Sequence, residues 1–523
     1  MQLAYSAKHN VVGWPGLPEP ERVARAIPGA RVVKDVVVAP VDLPAMIAAA
    51  HIGLPIKSPI ETSYDWPRSP SIEKPMAHQI EMARFLTTHP RCHNLSEPGT
   101  GKTLGNLWAS DFLLGLNVVA KVLIVAPLTT VYSVWRDAIG EHFPGRRRSS
   151  VLHGSVKQRL EALEYDADYY IINNEGLTIP AVREAILAKQ ASWLIIVDES
   201  HKYRHPTTAR WKALRGLIRG LPNPLVWLNT GTPTPHEPTD AYGQQALIDK
   251  PKQSYRAFRN TVMRQVSNFR WEPVPNADKI VGGFMQPAIR FRRDDCIDLP
   301  PTTYEHRKAE MTAAQRKALD ELRKRMQWAL DNGAEITAVH EGALRIKILQ
   351  ILAGAVYDKE HVAHEVDASP RLALLRDIVD ECDRKIIVFA PFQSIVKRVA
   401  DALKGDYSVA VVSGETSLAD RTQIFADFQQ KPDPRIIVAD PRTMSHGLTL
   451  TAANTIVWYA PTDGGDAYVQ ANARIQRPSQ TSHTRILHIF VDALERAIYS
   501  RNQARQSLQN LVMAWINGES YGT

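Results

Sequence analysis

The ten residues Asn94-Leu-Ser-Glu-Pro-Gly-Thr-Gly-Lys-Thr103 hold the densest chemistry in the chain. Glycines at Gly99 and Gly101 let the backbone bend so that successive N–H groups converge on an anion, with Glu97, Pro98 and Thr100 completing the loop. Lys102 supplies a point charge for the β- and γ-phosphates of a nucleotide, and the Thr103 hydroxyl is a Mg²⁺ ligand. The run Leu104–Leu114 predicts a helix whose N-terminal end adds to the same field. Ser96 stands where the strict phosphate-loop pattern has glycine, so a simple glycine turn ahead of a helix is the alternative.

Two further constellations bear on the choice. Trp193-Leu-Ile-Ile-Val-Asp-Glu-Ser-His201 is a short apolar run ending in adjacent carboxylates, the pattern of a buried parallel strand. Ligands of open α/β sheets bind beyond the carboxyl ends of strands. Asp198 there suits Mg²⁺, and Glu199 suits orienting a water and taking its proton. The opening of a solvated loop is the competing account. Far downstream, helical i, i+3 spacing predicts Arg474 and Arg477 on one face, two guanidinium forks able to meet a transferring phosphoryl group. Arginines on a solvated helix are common, so their meaning depends on the other motifs.

Positioning these groups calls for alternating strands and helices. Strands are predicted at Val122–Ala126, Tyr169–Asn173, Leu194–Asp198 and Leu225–Asn229, then again at Ile386–Ala390, Val409–Ser413, Ile436–Asp440, Ile456–Tyr459 and Arg485–Val491. The fold class is therefore α/β, two parallel-sheet lobes. Residues 70–250 form the nucleotide-binding lobe and 371–523 the second lobe. Between them, 251–370 carries helical patterns at Met311–Leu330 and Glu341–Leu352, either an insertion or a plain helical connector. Residues 1–69 read as a small α+β accessory module: a helix, a turn and a hairpin across Val23–Val41, then an apolar helix at Leu43–Ala50.

In order along the chain, the motifs resemble those of superfamily 2 nucleic-acid translocases, and specifically the Swi/Snf family. Pro75-Met-Ala-His-Gln79 resembles the adenine-recognising glutamine segment. Leu123 to Trp135 is similar to the strand, proline and tryptophan motif, and Asp198-Glu-Ser-His201 to Asp-Glu-Ala-His. Leu228-Asn-Thr-Gly-Thr-Pro233 resembles the coupling motif, and Ile297-Asp-Leu-Pro-Pro-Thr302 the segment between motor halves. Lys385–Phe392, Ser445–Ala453 and Gln470–Gln480 complete the series, which spans roughly 70–500. Departures are Ser200 for alanine, Met444-Ser-His446 before Gly447, and Pro478-Ser479 for an aliphatic-glycine pair.

The resemblance implies two RecA-like lobes with a short helical protrusion, ATP hydrolysed between them with Mg²⁺ held by Thr103 and Asp198, and motion on duplex or forked DNA. It implies ATP contacts at Gln79 and Gly447, and coupling through Thr230, Thr232 and Gln470. DNA contacts are expected at Thr129, Thr130, Asn173, Asn174, Phe392, Gln393, Thr443, Ser445 and His446. Fork remodelling or strand annealing in replication or repair is the expected setting, with replication or repair proteins as further partners. The chain is expected to act as a monomer in the cytoplasm of a prokaryote or a virus-infected cell. A strand-separating superfamily 2 helicase acting on DNA or RNA is one alternative, and an ATP-gated DNA scaffold with little turnover is another. The N-terminal module resembles the HARP-type module of annealing helicases, against the plainer reading of a packing extension.

Composition agrees. The 523 residues, 44% of them hydrophobic, suffice for two to four domains with large cores. No run of eighteen apolar residues predicts a membrane span, and the N-terminus lacks a signal core. Cys92, Cys296 and Cys382 lack zinc or disulfide spacing and read as small hydrophobes. The net charge of +8, from 63 basic and 55 acidic residues, is compatible with nucleic acid without being diagnostic. Arg146-Arg-Arg148 is read either as a phosphate contact or as a solvated loop. Arg290-Phe-Arg-Arg293 is read as a DNA or phosphate contact.

Overall fold

The computed structural model describes residues 3–68, 74–267, 270–296, 300–331, 338–358, 360, 362–444, 449–477 and 479–504. The chain divides into two compact units. The first holds the N-terminal module: strands β1 (Ala4–Ser6), β2 (Val11–Pro15), β3 (Arg31–Val33) and β4 (Val36–Pro40) in an antiparallel sheet of order β1-β2-β4-β3. Helices Pro20–Ala26 and Leu43–His51 accompany it, each opened by a proline in its first turn, where a missing N–H costs nothing. Trp14, Val37 and Met46 form the centre of its core. The first two strands lacked a sequence signal, being short and interrupted by Lys8-His-Asn10 and Gly13.

The same unit contains a seven-stranded sheet made of β5 (Arg91–Asn94), β6 (Lys121–Ala126), β7 (Ser149–Leu152), β8 (Tyr169–Asn173), β9 (Trp193–Asp198) and β10 (Leu225–Asn229), closed at one edge by a later strand. Next in sequence after β10 is a hairpin that belongs to the second unit, β11 (Met263–Ser267) with β12 (Arg270–Pro273), and then, back in the first unit, β13 (Ala288–Ile289), which is that edge. The order is β13-β5-β10-β9-β6-β8-β7 and every pairing is parallel. The runs Val122–Ala126 and Leu194–Val197 are buried on both faces, which is why they are continuously apolar rather than alternating.

The stretch between module and sheet is tied down firmly. Ser58 and Thr87 share a hydroxyl hydrogen bond of 3.1 Å, and Trp66 meets Trp108 edge to face with ring centroids 5.5 Å apart. The Tyr64 hydroxyl donates to Asp111 Oδ2 at 2.7 Å, and burial beside that carboxylate pushes the phenol's pKa well up. Asp111, fully buried in the helix Lys102–Gly115, is also paired with Arg146 at 2.8 Å and Arg147 at 2.6 Å. Arg148 pairs with Asp166 at 2.7 Å. Arg147 also lies 3.5 Å from Asp168, so carboxylates distant in sequence engage all three arginines, while Arg146 and Arg148 stay exposed at the surface.

The second unit centres on a six-stranded parallel sheet. β14 (Thr302–Lys308) precedes a small antiparallel pair, β15 (Ala355–Tyr357) with β16 (Ala363–Glu365). Then come β17 (Lys385–Phe389), β18 (Val409–Val412), β19 (Ile436–Ala439), β20 (Ala453–Trp458) and β21 (Thr484–Phe490), in the order β14-β21-β20-β17-β19-β18. Helices Ala313–Asp331 and Ala338–Ala353 pack into its core through Leu319, Ile348 and Leu352. Residues 251–370 therefore contribute β13 to the first sheet and β14 to the second. A fully buried ion pair, Arg371 to Glu495 at 2.6 Å, joins the helices Ser369–Asp380 and Ala493–Gln503.

Cys92 and Cys382 are buried and Cys296 is half-buried, none in a disulfide. Among the described residues no helix is long and apolar enough to cross a membrane.

Candidate functional site

In the first sheet, register sets the stage. Asn229 at the end of β10 is level with Asn94 at the end of β5 and with Asp198 at the end of β9. Whatever follows these three strands is held side by side at the carboxyl edge, where open α/β sheets bind ligands.

From β5 the chain enters the glycine loop. Gly99 and Gly101 take positive φ, 92° and 76°, and Gly101 leads into the helix Lys102–Gly115 without a side-chain cap on that helix. Uncapped N–H groups at a helix start suit an anion. A side chain at Gly101 would be strained at that φ and would lie 2.1 Å from Gln79 Nε2, so Gln79 rests directly on the loop. The adjacent His78 Nε2 is 2.9 Å from Thr100 O. Lys102 Nζ donates to Ser96 O at 2.7 Å and Glu97 O at 3.0 Å, holding the ammonium across the loop. The Thr100 hydroxyl donates to Glu97 O at 2.8 Å. Thr103 is half-buried at the first turn of the helix.

The carboxylates are oriented from an unexpected direction. Residues Val131–Arg136 wind as a π-helix, a widening often found at functional sites, and this turn carries Trp135 to Asp198. Its indole N–H donates to Asp198 Oδ2 at 3.1 Å. Glu199 follows in the left-handed region (φ 54°, ψ 52°), uncommon for a residue with a side chain and a mark of a constrained site. Its Oε2 lies 3.1 Å from His201 Nδ1, which is also 3.1 Å from Thr230 Oγ1. Burial pushes the Lys202 ammonium down, against the pull of Glu199, Asp198 and Glu175.

The Thr230–Pro233 loop, after β10, sits between the other two. The Thr230 hydroxyl accepts from Thr232 N at 3.1 Å, and a Cβ at Gly231 would come within 2.6 Å of Pro98 in the glycine loop. Beneath the loop, Asn106 and Asn229 exchange amide hydrogen bonds of 2.8 and 3.3 Å, and Asn106 also caps Lys102 O. Neither asparagine was singled out from sequence. The available signal was Asn106 at i+4 from Lys102, facing the strand that ends in Asn229. The basic run Arg290–Arg293 passes alongside: Glu97 N donates to Phe291 O at 3.0 Å, Phe291 N to Ser96 Oγ at 3.2 Å, and the exposed Arg290 lies 3.9 Å from Glu97.

The expected nucleic-acid residues divide by exposure. Thr130 is buried and donates to Pro127 O at 2.9 Å, leaving Thr129 nearer the surface. Asn173 is held by Arg159 and Glu175, and Asn174 accepts from the Tyr203 hydroxyl at 2.7 Å, both inside the lobe. In the second unit Gln393 is exposed, Phe392 packs against the core, and the Thr443 hydroxyl donates to Asp440 O at 2.7 Å. Ser445, His446 and Gly447 lie outside the described residues.

One expectation is corrected. The helix Gly465–Asn472 ends before Arg474, so Arg474 and Arg477 do not share a helical face. Other elements draw the chain out of the helix: Arg474 O accepts from Leu450 N at 3.0 Å, and Ile475 O accepts from Gln480 Nε2 at 3.1 Å. Arg474 is buried, its Nε donating to Gln470 O at 2.9 Å, and Arg477 is half-buried.

The chain is similar to known proteins along most of its length. The chain is 24% identical over 464 residues to protein p41 of Acyrthosiphon pisum secondary endosymbiont phage 1, a match covering 84% of this chain and 98% of the phage protein. It is 23% identical to the SWI/SNF-related matrix-associated actin-dependent regulator of chromatin subfamily A-like protein 1 of Xenopus tropicalis, covering 70% of this chain but 37% of that one, so the chain spans little more than a third of that animal relative. Among solved structures, the Sulfolobus solfataricus SWI2/SNF2 ATPase core in complex with dsDNA covers 87% of this chain and 96% of its own, at 19% identity and a TM-score of 0.40. The SNF2-related domain model matches residues 78–358 and the helicase conserved C-terminal domain model follows at 370–479. With more than half its length inside the first of these, the chain belongs to the SWI/SNF family of superfamily 2 helicase-like ATPases.

Proposed function

We propose that the chain is a DNA-dependent ATPase that uses hydrolysis to move on duplex DNA. The observation that carries this reading is the convergence, at one edge of the first sheet, of the glycine loop, the Asp198–Glu199 turn and the Thr230–Pro233 loop, cross-linked by Trp135, His201 and the Asn106–Asn229 pair. Family membership adds to it.

The assignment of roles follows from chemistry. Residues Glu97–Thr103 take the phosphates, Lys102 turning its ammonium from loop carbonyls to phosphate oxygens, and Gln79 contributes to nucleotide contact from its place on Gly101. Thr103 and Asp198 are the residues that would hold Mg²⁺, which when bound neutralises phosphate charge. The donor set fits: a hydroxyl at a helix start, and a carboxylate already aimed by an indole. Glu199 orients the attacking water and accepts its proton. Arg474 and Arg477 meet the charge developing on the phosphoryl group, and Gly447 joins the nucleotide contacts. Thr230, Thr232 and Gln470 couple turnover to DNA, whose backbone is met by surface residues such as Thr129 and Gln393. Forked DNA in replication or repair, in a prokaryotic or virus-infected cell, is the proposed setting.

The test is ATP turnover on duplex, forked, single-stranded and RNA substrates, paired with a triplex-displacement assay. Duplex-stimulated turnover with triplex displacement and no unwinding is the expected result. Unwinding of a tailed duplex would favour strand separation, and no stimulation by any nucleic acid would sink the reading.

A further inference from the structure

Behind the Glu199 turn, the helix Ala241–Ile248 is buried along most of its length, and its Gln244 is fully enclosed. The Gln244 amide bridges two of the loops that converge at the site. Its Oε1 accepts from the Ser200 hydroxyl at 2.9 Å, and its Nε2 donates to Pro233 O at 2.6 Å and Asp240 O at 3.1 Å. The orientation follows from chemistry alone. Two carbonyls that only accept must face the nitrogen, so a flipped amide would lose both bonds. All three partners of a buried amide are therefore specified, which makes it a rigid link rather than a packing filler.

The helix is pressed onto the turn as closely as backbone allows. A Cβ at the neighbouring Gly243 would lie 2.1 Å from Arg204 O and 2.6 Å from Tyr203 O. Ser200 is the residue after the left-handed Glu199, and Pro233 closes the loop whose Thr230 faces His201. Two ties thus join the carboxylate turn to the Thr230–Pro233 loop. One runs through His201 on the site side, and the other runs through Ser200 and Gln244 from behind.

We infer that Gln244 is a positioning residue for turnover: with Ser200 it holds the left-handed turn at Glu199 in register with the Thr230–Pro233 loop, so that movement of the loop reaches the catalytic carboxylate. This rests on the reading of the site given above. Nothing in the role requires Gln244 to touch nucleotide or DNA, so it acts on kcat and not on ligand affinity.

The experiment compares Gln244→Leu, Ser200→Ala and the double variant in the full chain. DNA-stimulated turnover is measured per molecule competent to bind a fluorescent ADP, which removes any unfolded fraction from the rate. Gln244→Leu should lower kcat about ten-fold, the consequence of two stranded carbonyls and a freed turn, with the KM for ATP and the affinity for duplex DNA unchanged. Ser200→Ala, which leaves Gln244 anchored to Pro233 and Asp240, should cost less, about two- to three-fold. The double variant should match Gln244→Leu alone, because both residues belong to one relay. Per-site kcat within two-fold of wild type in Gln244→Leu, a loss shared by KM or DNA affinity, or multiplicative effects in the double variant would each overturn the inference while leaving the ATPase assignment standing. A wild-type chain without DNA-stimulated turnover would remove that assignment and this inference with it.

Discussion

The two parallel sheets use their buried polar groups to opposite ends. In the first, Asn94, Asp198 and Asn229 stand level at the strand ends, and their partners turn three separate loops toward one place. In the second, the deepest charges serve cohesion. Arg371 and Glu495 are fully buried and satisfy each other, with Arg371 also bonded to Leu352 O and Ile489 O and Glu495 accepting from Val491 N. A shared α/β architecture therefore says little about where chemistry resides, and the polar wiring at the strand ends says more.

Removing the first sheet's principal cation should have the largest effect. Lys102→Ala should abolish ATP turnover in a phosphate-release assay while DNA affinity, read by anisotropy of a labelled duplex, stays near wild type. Glu199→Gln should keep nucleotide affinity and lose hydrolysis, since shape is retained and the base is not. Normal turnover in Lys102→Ala would erase the contrast between the sheets.

Next come the second sheet's arginines. If Arg474 and Arg477 act on the phosphoryl group, alanine at either should slow turnover on the order of 10³-fold with ADP affinity hardly altered. A loss of ADP affinity of comparable size would point to a ground-state role.

The cohesive role is tested by Arg371→Met, which strands a buried carboxylate and should destabilise the second lobe by about 3–5 kcal/mol. Urea unfolding should show an early transition, with fluorescent ADP still bound at urea concentrations beyond it. A single unshifted transition would show the pair to be dispensable.

Acid should weaken both lobes alike. Burial drives the His93 imidazole down to about 4 and His488 to about 3, so both stay neutral when folded. Below the ordinary value near 6.5 the unfolded chain takes up protons that the folded chain refuses. Stability is therefore full above that value and falls as pH drops toward 4, by about 1.4 kcal/mol per pH unit for each histidine. Thermal unfolding between pH 7.5 and 5 measures this, and a flat profile would contradict it.

A smaller loss than at Lys102 or the arginines is expected from Trp135→Phe. It removes one indole hydrogen bond to a carboxylate, worth about 1.5–3 kcal/mol, and should lower kcat at least about ten-fold without changing the fold as seen by circular dichroism. An unaffected kcat would leave the π-helical turn without a catalytic purpose.

Much of the parallel architecture was legible because doubly covered strands are unbroken apolar runs, as at Leu194–Val197 and Ile386–Phe389. Where burial is achieved by pairing instead, the signal vanishes. β5 reads Arg-Cys-His-Asn, and its fully buried His93 is accommodated by a 2.8 Å contact with Gln245 Oε1, 152 residues away. β14, Thr-Thr-Tyr-Glu-His-Arg-Lys, is a half-exposed edge strand with no apolar pattern to read. The same distance effect hid Asn106 with Asn229 and Ser200 with Gln244, polar pairs that only folding brings together. It also hid the carboxylate partners of Arg146–Arg148, which lie 18 to 36 positions away. The Arg474–Arg477 spacing was helical in pattern only, because neighbouring elements draw the carbonyls of residues 474 and 475 out of the helix.

The tie at Tyr64 sets a practical limit on how the protein can be cut. A recombinant fragment started at residue 70, where the motifs suggest the motor begins, would lack the phenol that donates to Asp111 and the indole that covers Trp108. Both of those contacts sit midway along the helix that starts at Lys102, so the truncation would uncover the middle of the helix whose first turn completes the glycine loop. A fragment meant to keep these contacts and the Ser58–Thr87 hydroxyl bond has to begin upstream of Ser58.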